Sequence, residues 1–274
     1  MSGADWWDTT WDDLRAEARE ASGRRVAVVT LDLPDKRNAM SDAMTASWAA
    51  LMGALREDDE LAALVVTGAG PAFSAGGDLS WIVSQPDAQV IDLRHRMLAF
   101  YGQWLRIRAL EVPTIAAVNG AAIGAGLGVA LACDIRYAAA DAKLAVPFTS
   151  LGLHPGMATT HSLPDVAGFA VARDLLLTGR VVTGEEALAL GLVSRALPRE
   201  QVLAEALAAA DRIAACAPIA TKLTVAALRD RGHQSHADAI EWEALAQSVT
   251  LATRDLLEGI QAAAQRRTPV FRGR

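Results

Sequence analysis

Thr114-Ile-Ala-Ala-Val-Asn-Gly-Ala-Ala-Ile-Gly-Ala-Gly126 is the stretch on which the fold turns. Thr114 to Val118 is a short apolar run that reads as a buried strand. Gly120 to Gly128 follows as a glycine- and alanine-rich turn into a buried helix ending near Cys133. The same order occurs upstream. Leu61 to Thr67 reads as a buried strand, Gly68-Ala-Gly-Pro-Ala-Phe-Ser-Ala-Gly-Gly-Asp78 as a loop, and Val90 to Ala109 as a long helix. A strand-to-helix turn can present backbone N–H groups, reinforced by the helix dipole, to a negatively charged atom. Each loop taken alone is equally a tight turn between packed elements.

Outward from these loops the alternation continues. Arg24 to Leu33 is β-branched and reads as a strand, Pro34 to Asn38 as a turn, and Ser41 as the N-cap of a helix through about Arg56. Asp134 to Ala138 and Leu144 to Val146 read as further short strands. From about Pro164 the pattern is almost wholly helical, broken at Pro198, Pro218 and Gly232. Alternating strands and helices predict an α/β core with parallel pairing. The expected organisation is a surface leader over 1–23, a core over 24–200 and a helical region over 201–274.

Composition narrows the function classes. The net charge of −6 argues against a nucleic-acid partner, which calls for a basic face. Two cysteines, Cys133 and Cys216, fit a reducing compartment and exclude a disulfide framework. The acidic N-terminus lacks a basic-then-apolar signal pattern, and the longest apolar run, Val112 to Cys133, is broken by Pro113, Asn119 and four glycines. A cytoplasmic protein without a membrane span is expected. No GxxxxGK[ST] run occurs, so a P-loop is excluded. Phe73 and Val129 stand where a dinucleotide fingerprint needs its last glycine. No set of metal ligands is recognisable, since His233 and His236 are not at the i, i+4 spacing of a helical zinc pair.

Two donors aimed at one oxygen are what an enolate requires, and two strand-to-helix turns side by side can supply one each. Here the residues resemble a known family. Pro71-Ala-Phe-Ser-Ala-Gly-Gly-Asp-Leu79 resembles the first oxyanion loop of crotonases, the enoyl-CoA hydratases and isomerases. Thr114 to Gly126 with Ala130-Leu-Ala-Cys-Asp-Ile-Arg-Tyr137 resembles the second. Leu33 to Met40, Leu151-Gly-Leu-His-Pro-Gly156, Leu177-Thr-Gly-Arg180 and Ala187 to Ser194 extend the resemblance over residues 24 to 272.

The resemblance implies a core of repeated ββα turns, C-terminal helices that mediate trimerisation, and a homotrimer or dimer of trimers. It implies a coenzyme A thioester as substrate, with no other cofactor. The backbone N–H groups of Ser74 and Ala125 would form the oxyanion hole. Lys36, Arg37, Ala39, Ala72, Gly76, Asp78, Leu79 and Phe271 would contact the CoA ester. Lys36 and Arg37 read equally as a solvated turn, and Asp78 more simply as the cap of the following helix. Phe271, with Arg266, Arg267 and Arg272 nearby, resembles the segment that closes a CoA site, sometimes a neighbour's.

One departure bears on the chemistry. The two glutamates of the family's hydratases fall, by counting back from Cys133-Asp134 and from Leu151-Gly152, on Gly128 and Phe148. Neither residue can activate water or donate a proton. His154, in the following loop, and His95, on the helix after the first oxyanion loop, are the candidate substitutes, each with a plain structural reading beside it. Tyr101, Trp81, Met97 and Phe148 are expected to line an acyl pocket. The expected function is a lyase or isomerase of fatty-acid or related acyl-CoA metabolism. The rival from another class is a non-catalytic acyl-CoA binding protein on the same fold.

Overall fold

A computed structural model describes residues 5–78, 80, 87–230 and 235–274. In chain order the strands are β1 (Leu14–Ala21), β2 (Arg24–Leu31), β3 (Leu61–Gly68), β4 (Ala72–Ser74), β5 (Thr114–Val118), β6 (Ala121–Ile123), β7 (Ile135–Ala139), β8 (Lys143–Ala145), β9 (Val182–Thr183) and β10 (Arg195–Leu197). The helices are α1 (Asp42–Arg56), α2 (Val90–Trp104), α3 (Ala125–Ala132), α4 (Thr159–Thr178), α5 (Gly184–Ala189), α6 (Arg199–Ala214), α7 (Pro218–Asp230), α8 (His236–Leu251) and α9 (Arg254–Gln265). One sheet runs β1-β2-β3-β5-β7-β10 and a smaller one runs β4-β6-β8-β9. From β3 to β8 consecutive strands alternate between the sheets, so β3-β4-α2, β5-β6-α3 and β7-β8-α4 are three ββα turns stacked side by side, as expected.

Burial explains the pairing. Every residue of β3 and of β5 is buried, the mark of parallel strands covered on both faces. α6 packs against β2, β3, β5 and β7. In α1, Met44, Trp48, Leu51, Met52 and Leu55 face the core at helical spacing. Ser41 caps this helix, its Oγ accepting the Met44 N–H at 2.9 Å. Trp48 stacks on Trp104 at 4.8 Å, and the Trp104 Nε1–H donates to Thr45 Oγ1. These contacts fix the end of α2, which carries the aromatic wall of the site.

Three expectations change. The segment before residue 24 is not a surface leader alone: β1 pairs antiparallel with β2 along its whole length, and Trp6 is buried. The turn after Asn119 contains a strand, β6, before its helix starts. The run from Pro164 that reads as almost wholly helical contains β9 and β10, while 201–274 is helical as expected, its first residue falling inside α6, which covers the sheet. α7 is tied to the core by Arg229, which donates to both Asp134 carboxylate oxygens and to the carbonyls of Arg108, Leu110 and Val112. Among the described residues no helix is long and apolar enough to cross a membrane.

Candidate active site

The β3–β4 and β5–β6 loops are held together by a side chain from the second. Asn119 Nδ2 donates to the carbonyls of Gly68 and Gly70, and its Oδ1 accepts the Gly68 N–H. Asn38, fully buried at positive φ, completes the frame. Its amide nitrogen donates to the Ala69 and Ala72 carbonyls, and its oxygen accepts the Leu33 N–H.

The chain then enters the site at 75–78. At Gly76 φ is +92°, and an ideal Cβ would stand 2.5 Å from the Ile123 carbonyl oxygen and 3.2 Å from the Ala125 nitrogen. Only glycine lets the first loop rest on the start of α3. Accounting for the loop's donors singles one out. The Ala75 N–H donates to the Arg37 carbonyl, the Gly76 N–H to Ser74 Oγ, and the Asp78 N–H to the Met40 carbonyl. The Gly77 N–H has no partner among the described residues. On the second loop, the first hydrogen bond of α3 runs from Gly128 N–H to Gly124 O. The amides of Ala125, Gly126 and Leu127 are therefore without partners inside the helix.

These two peptide edges border a pocket of about 160 Å³. Gly77 and Ala125 form part of its wall, and Met97, Phe100, Ile123, Phe148 and Met157 supply much of the apolar lining. Asp78, Tyr101 and His154 are its ionisable side chains. Hydrogen bonds from the Ser80 amide and hydroxyl, with Lys36 nearby, hold the Asp78 carboxyl below the usual carboxylate range. His154 Nδ1 lies 2.8 Å from the Pro155 carbonyl, which can only accept, so Nδ1 donates there and Nε2 is the ring nitrogen left outside that bond. Burial pushes the Tyr101 phenol up from its ordinary value.

Ser74 is not on the pocket wall. It is fully buried, its Oγ donates to the Asn38 carbonyl, and the free loop amide is that of Gly77, three residues on. Ala72 is likewise buried behind the loop, its carbonyl taken by Asn38. Ala39 is half-buried beside the loop, while Lys36 and Arg37 are exposed in the turn that feeds it. His95 is exposed on α2 and does not line the pocket, whereas Met97 and Tyr101 of the same helix do. Phe271 lies in a separate cleft with Arg24 and Lys222. The tail beside it is pinned by Asp255, which accepts the Arg272 and Gly273 amides, and by Glu258, which pairs with Arg267. Leu79, Trp81 and His233 lie outside the described residues. Among the described residues no group of three or more His, Cys, Asp or Glu could hold a metal ion.

The two positions counted for glutamates are both filled by packing. The Phe148 ring lies against Gly124, 3.7 Å from an ideal Cβ there. Gly128 faces Met157, whose Cβ would be 2.6 Å from an added Cβ. Met157 and Ala158 both take left-handed backbone, at φ of 55° and 53°. That bend lays a fully buried Met157 across the helix face where a longer residue 128 would project.

Comparison with known proteins agrees with this architecture. The sequence profile of the enoyl-CoA hydratase/isomerase family matches residues 21–274. The 2,3-dehydroadipyl-CoA hydratase of Escherichia coli is 34% identical over 251 residues, covering 92% of this chain and 96% of that protein. The human mitochondrial enoyl-CoA hydratase domain-containing protein 2 is 34% identical over 268 residues, covering 96% and 90%. A crystal structure of an enoyl-CoA hydratase from Bacillus anthracis superposes with a TM-score of 0.89 at 30% identity, covering 96% of this chain and all of that one. With family, fold and paired loops in agreement, this chain belongs to the enoyl-CoA hydratase/isomerase family.

Proposed function

We propose that the chain binds an acyl-CoA thioester in this pocket and stabilises its enolate with the N–H groups of Gly77 and Ala125. The observation that carries this reading is the pair of amides on adjoining loops, without hydrogen-bond partners among the described residues, at the edge of an apolar pocket. Donors placed where charge develops act more strongly in the transition state than in the ground state. Lys36 and Arg37, exposed in the turn that feeds the first loop, supply positive charge for the CoA phosphates. Ala39, Gly76 and Asp78 border the path of the thioester in this reading, and Phe271, which lies in a cleft apart from the pocket, is assigned to a neighbouring subunit's site.

Gly128 and Phe148 leave the site without the water-activating carboxylates, so simple hydration is not its reaction. His154 is the base that the geometry favours, because it lines the pocket and its Nδ1 is engaged by the Pro155 carbonyl, which leaves Nε2 to accept a proton when the ring is neutral. In the proposed step the α-C–H bond breaks, the proton passes to His154 Nε2, and the electron pair moves onto the thioester oxygen. Apolar residues remain on the outer faces of α8 and α9, including Ile240, Leu245, Leu257 and Ile260. They support assembly into a trimer or a dimer of trimers. Two free thiols support a reducing setting, the cytoplasm.

A second reading, a non-catalytic acyl-CoA binder on this fold, is favoured by the apolar wall where carboxylates were counted. Incubation with butyryl-CoA in D₂O separates the two. Deuterium uptake at the α-carbon, lost in His154→Ala with binding retained, supports the enzyme. Binding without exchange supports the binder. Absence of binding to any acyl-CoA sinks both.

A further inference from the structure

Tyr101 was expected only to line the acyl pocket, yet its hydroxyl is the polar group there that lacks a role. The Asp78 carboxylate accepts from the Ser80 amide, and His154 Nδ1 is bound to the Pro155 carbonyl. Tyr101 Oη has no hydrogen-bond partner among the described residues. An ideal Cβ on Gly156 would stand 2.4 Å from Oη, so the hydroxyl lies directly on the backbone of the loop that carries His154 and Met157. Phe100 meets the ring edge-on at 6.1 Å, and Trp104, locked against Trp48, fixes the helix turn behind it. The ring, which lines the pocket, is thus held with its hydroxyl against Gly156, next to the lining residue Met157. Burial raises its pKa, which keeps it a neutral donor near neutral pH.

A hydroxyl in an apolar wall has a cost that depends on the occupant. The hydroxyl is not sealed from solvent, so water can satisfy it in the unliganded pocket. A plain hydrocarbon chain displaces that water and leaves the donor unpaired, whereas a chain carrying an oxygen replaces the bond. We propose that Tyr101 is a specificity residue whose hydroxyl donates to an oxygen on the acyl chain, so that the pocket selects oxygenated acyl-CoA thioesters over hydrocarbon ones. This rests on the acyl-CoA reading above and adds to it the class of acyl group.

Calorimetric titration of the intact protein with butyryl-CoA, 3-hydroxybutyryl-CoA and 4-hydroxybutyryl-CoA tests it. At least one hydroxylated ester should bind on the order of tenfold more tightly than butyryl-CoA. In Tyr101→Phe the preference should fall to within about twofold, with butyryl-CoA affinity unchanged or improved. Retained butyryl-CoA binding also shows that the variant is folded. Equal binding of all three esters to the unmodified protein overturns the inference, as does a preference that survives in Tyr101→Phe, or a variant that no longer binds butyryl-CoA. Failure of all three esters to bind either protein overturns the acyl-CoA reading, and this inference with it.

Discussion

Replacing Gly128 by alanine should destabilise the protein, although the residue lies inside a helix. In an ordinary helix interior the change gains about 0.5–1 kcal/mol, because glycine costs backbone entropy. Here the added Cβ would stand 2.6 Å from Met157 Cβ and 3.3 Å from its Cγ. Met157 is 1% exposed and held by left-handed backbone, so it has little room to retreat. Overpacking of this kind costs about 1–3 kcal/mol, which leaves a net loss of about 1 kcal/mol. Met157→Gly removes the opposing Cβ and suits its φ of 55°. The loss of a buried methionine should itself cost about 2–5 kcal/mol, reduced by about 1 kcal/mol of relieved backbone strain. In that background Gly128→Ala should recover its usual gain, giving a coupling of about 1.5–2 kcal/mol. Urea denaturation of the four proteins measures this cycle. A stabilising Gly128→Ala in the parent, or the same effect in both backgrounds, would refute the packing argument. By the same contact Gly128→Glu alone should restore no hydratase activity, because the carboxylate would meet Met157 before it met substrate.

Three other outcomes follow from groups outside the pocket. Burial pushes the Cys133 thiol up to about 12, while Cys216 is exposed, so a thiol reagent near pH 8 should label one cysteine per folded chain and two in denaturant. Two fast-reacting thiols in the folded protein would contradict the packing of α3. Arg229→Ala strips a nearly buried guanidinium from Asp134 and should lower stability by about 3–5 kcal/mol, read from the denaturation midpoint. Burial pushes the Asp58 carboxyl up, but hydrogen bonds from Arg25 and Trp6 outweigh it and hold the group below its ordinary 3.8. The stabilisation is present above that value and is lost as pH falls through the native pKa, so Arg25→Gln should move the acid-unfolding transition to higher pH.

The elements set by local chemistry were legible in the chain. α1 announces itself through the Ser41 cap and its apolar stripe, and β3 and β5 through unbroken apolar runs. β1 was not legible, because Leu-Arg-Ala-Glu-Ala-Arg-Glu-Ala carries no strand pattern and becomes a strand by pairing with β2. β4 and β6, three residues each, are defined by each other and by Asn119, which no window of sequence reveals. In the site, both loops were recognisable, and Ala125 is among the residues that line the pocket. The proposal of Gly77 in place of Ser74 depends on which amides of the loop are consumed by Arg37 and Met40, acceptors from more than thirty residues upstream. Seeing that Gly128 is closed off required Met157, which approaches it only through the bend at 157–158. Tyr101 was legible as a wall residue, but not that its hydroxyl rests on Gly156 without a hydrogen-bond partner among the described residues.

The most direct test of the central claim, a thioester site with its amide donors in place and its hydratase carboxylates replaced by packing, is crotonyl-CoA hydration by the unmodified protein. Each missing acid or base typically contributes about 10²–10⁴-fold. Crotonyl-CoA should therefore bind saturably, while its conjugated thioester absorbance stays constant or decays far more slowly than an enzymatic rate of about 10 s⁻¹. Turnover at or above that rate would show that a water-activating pair operates in a pocket where Gly128 and Phe148 supply none, and would contradict the account.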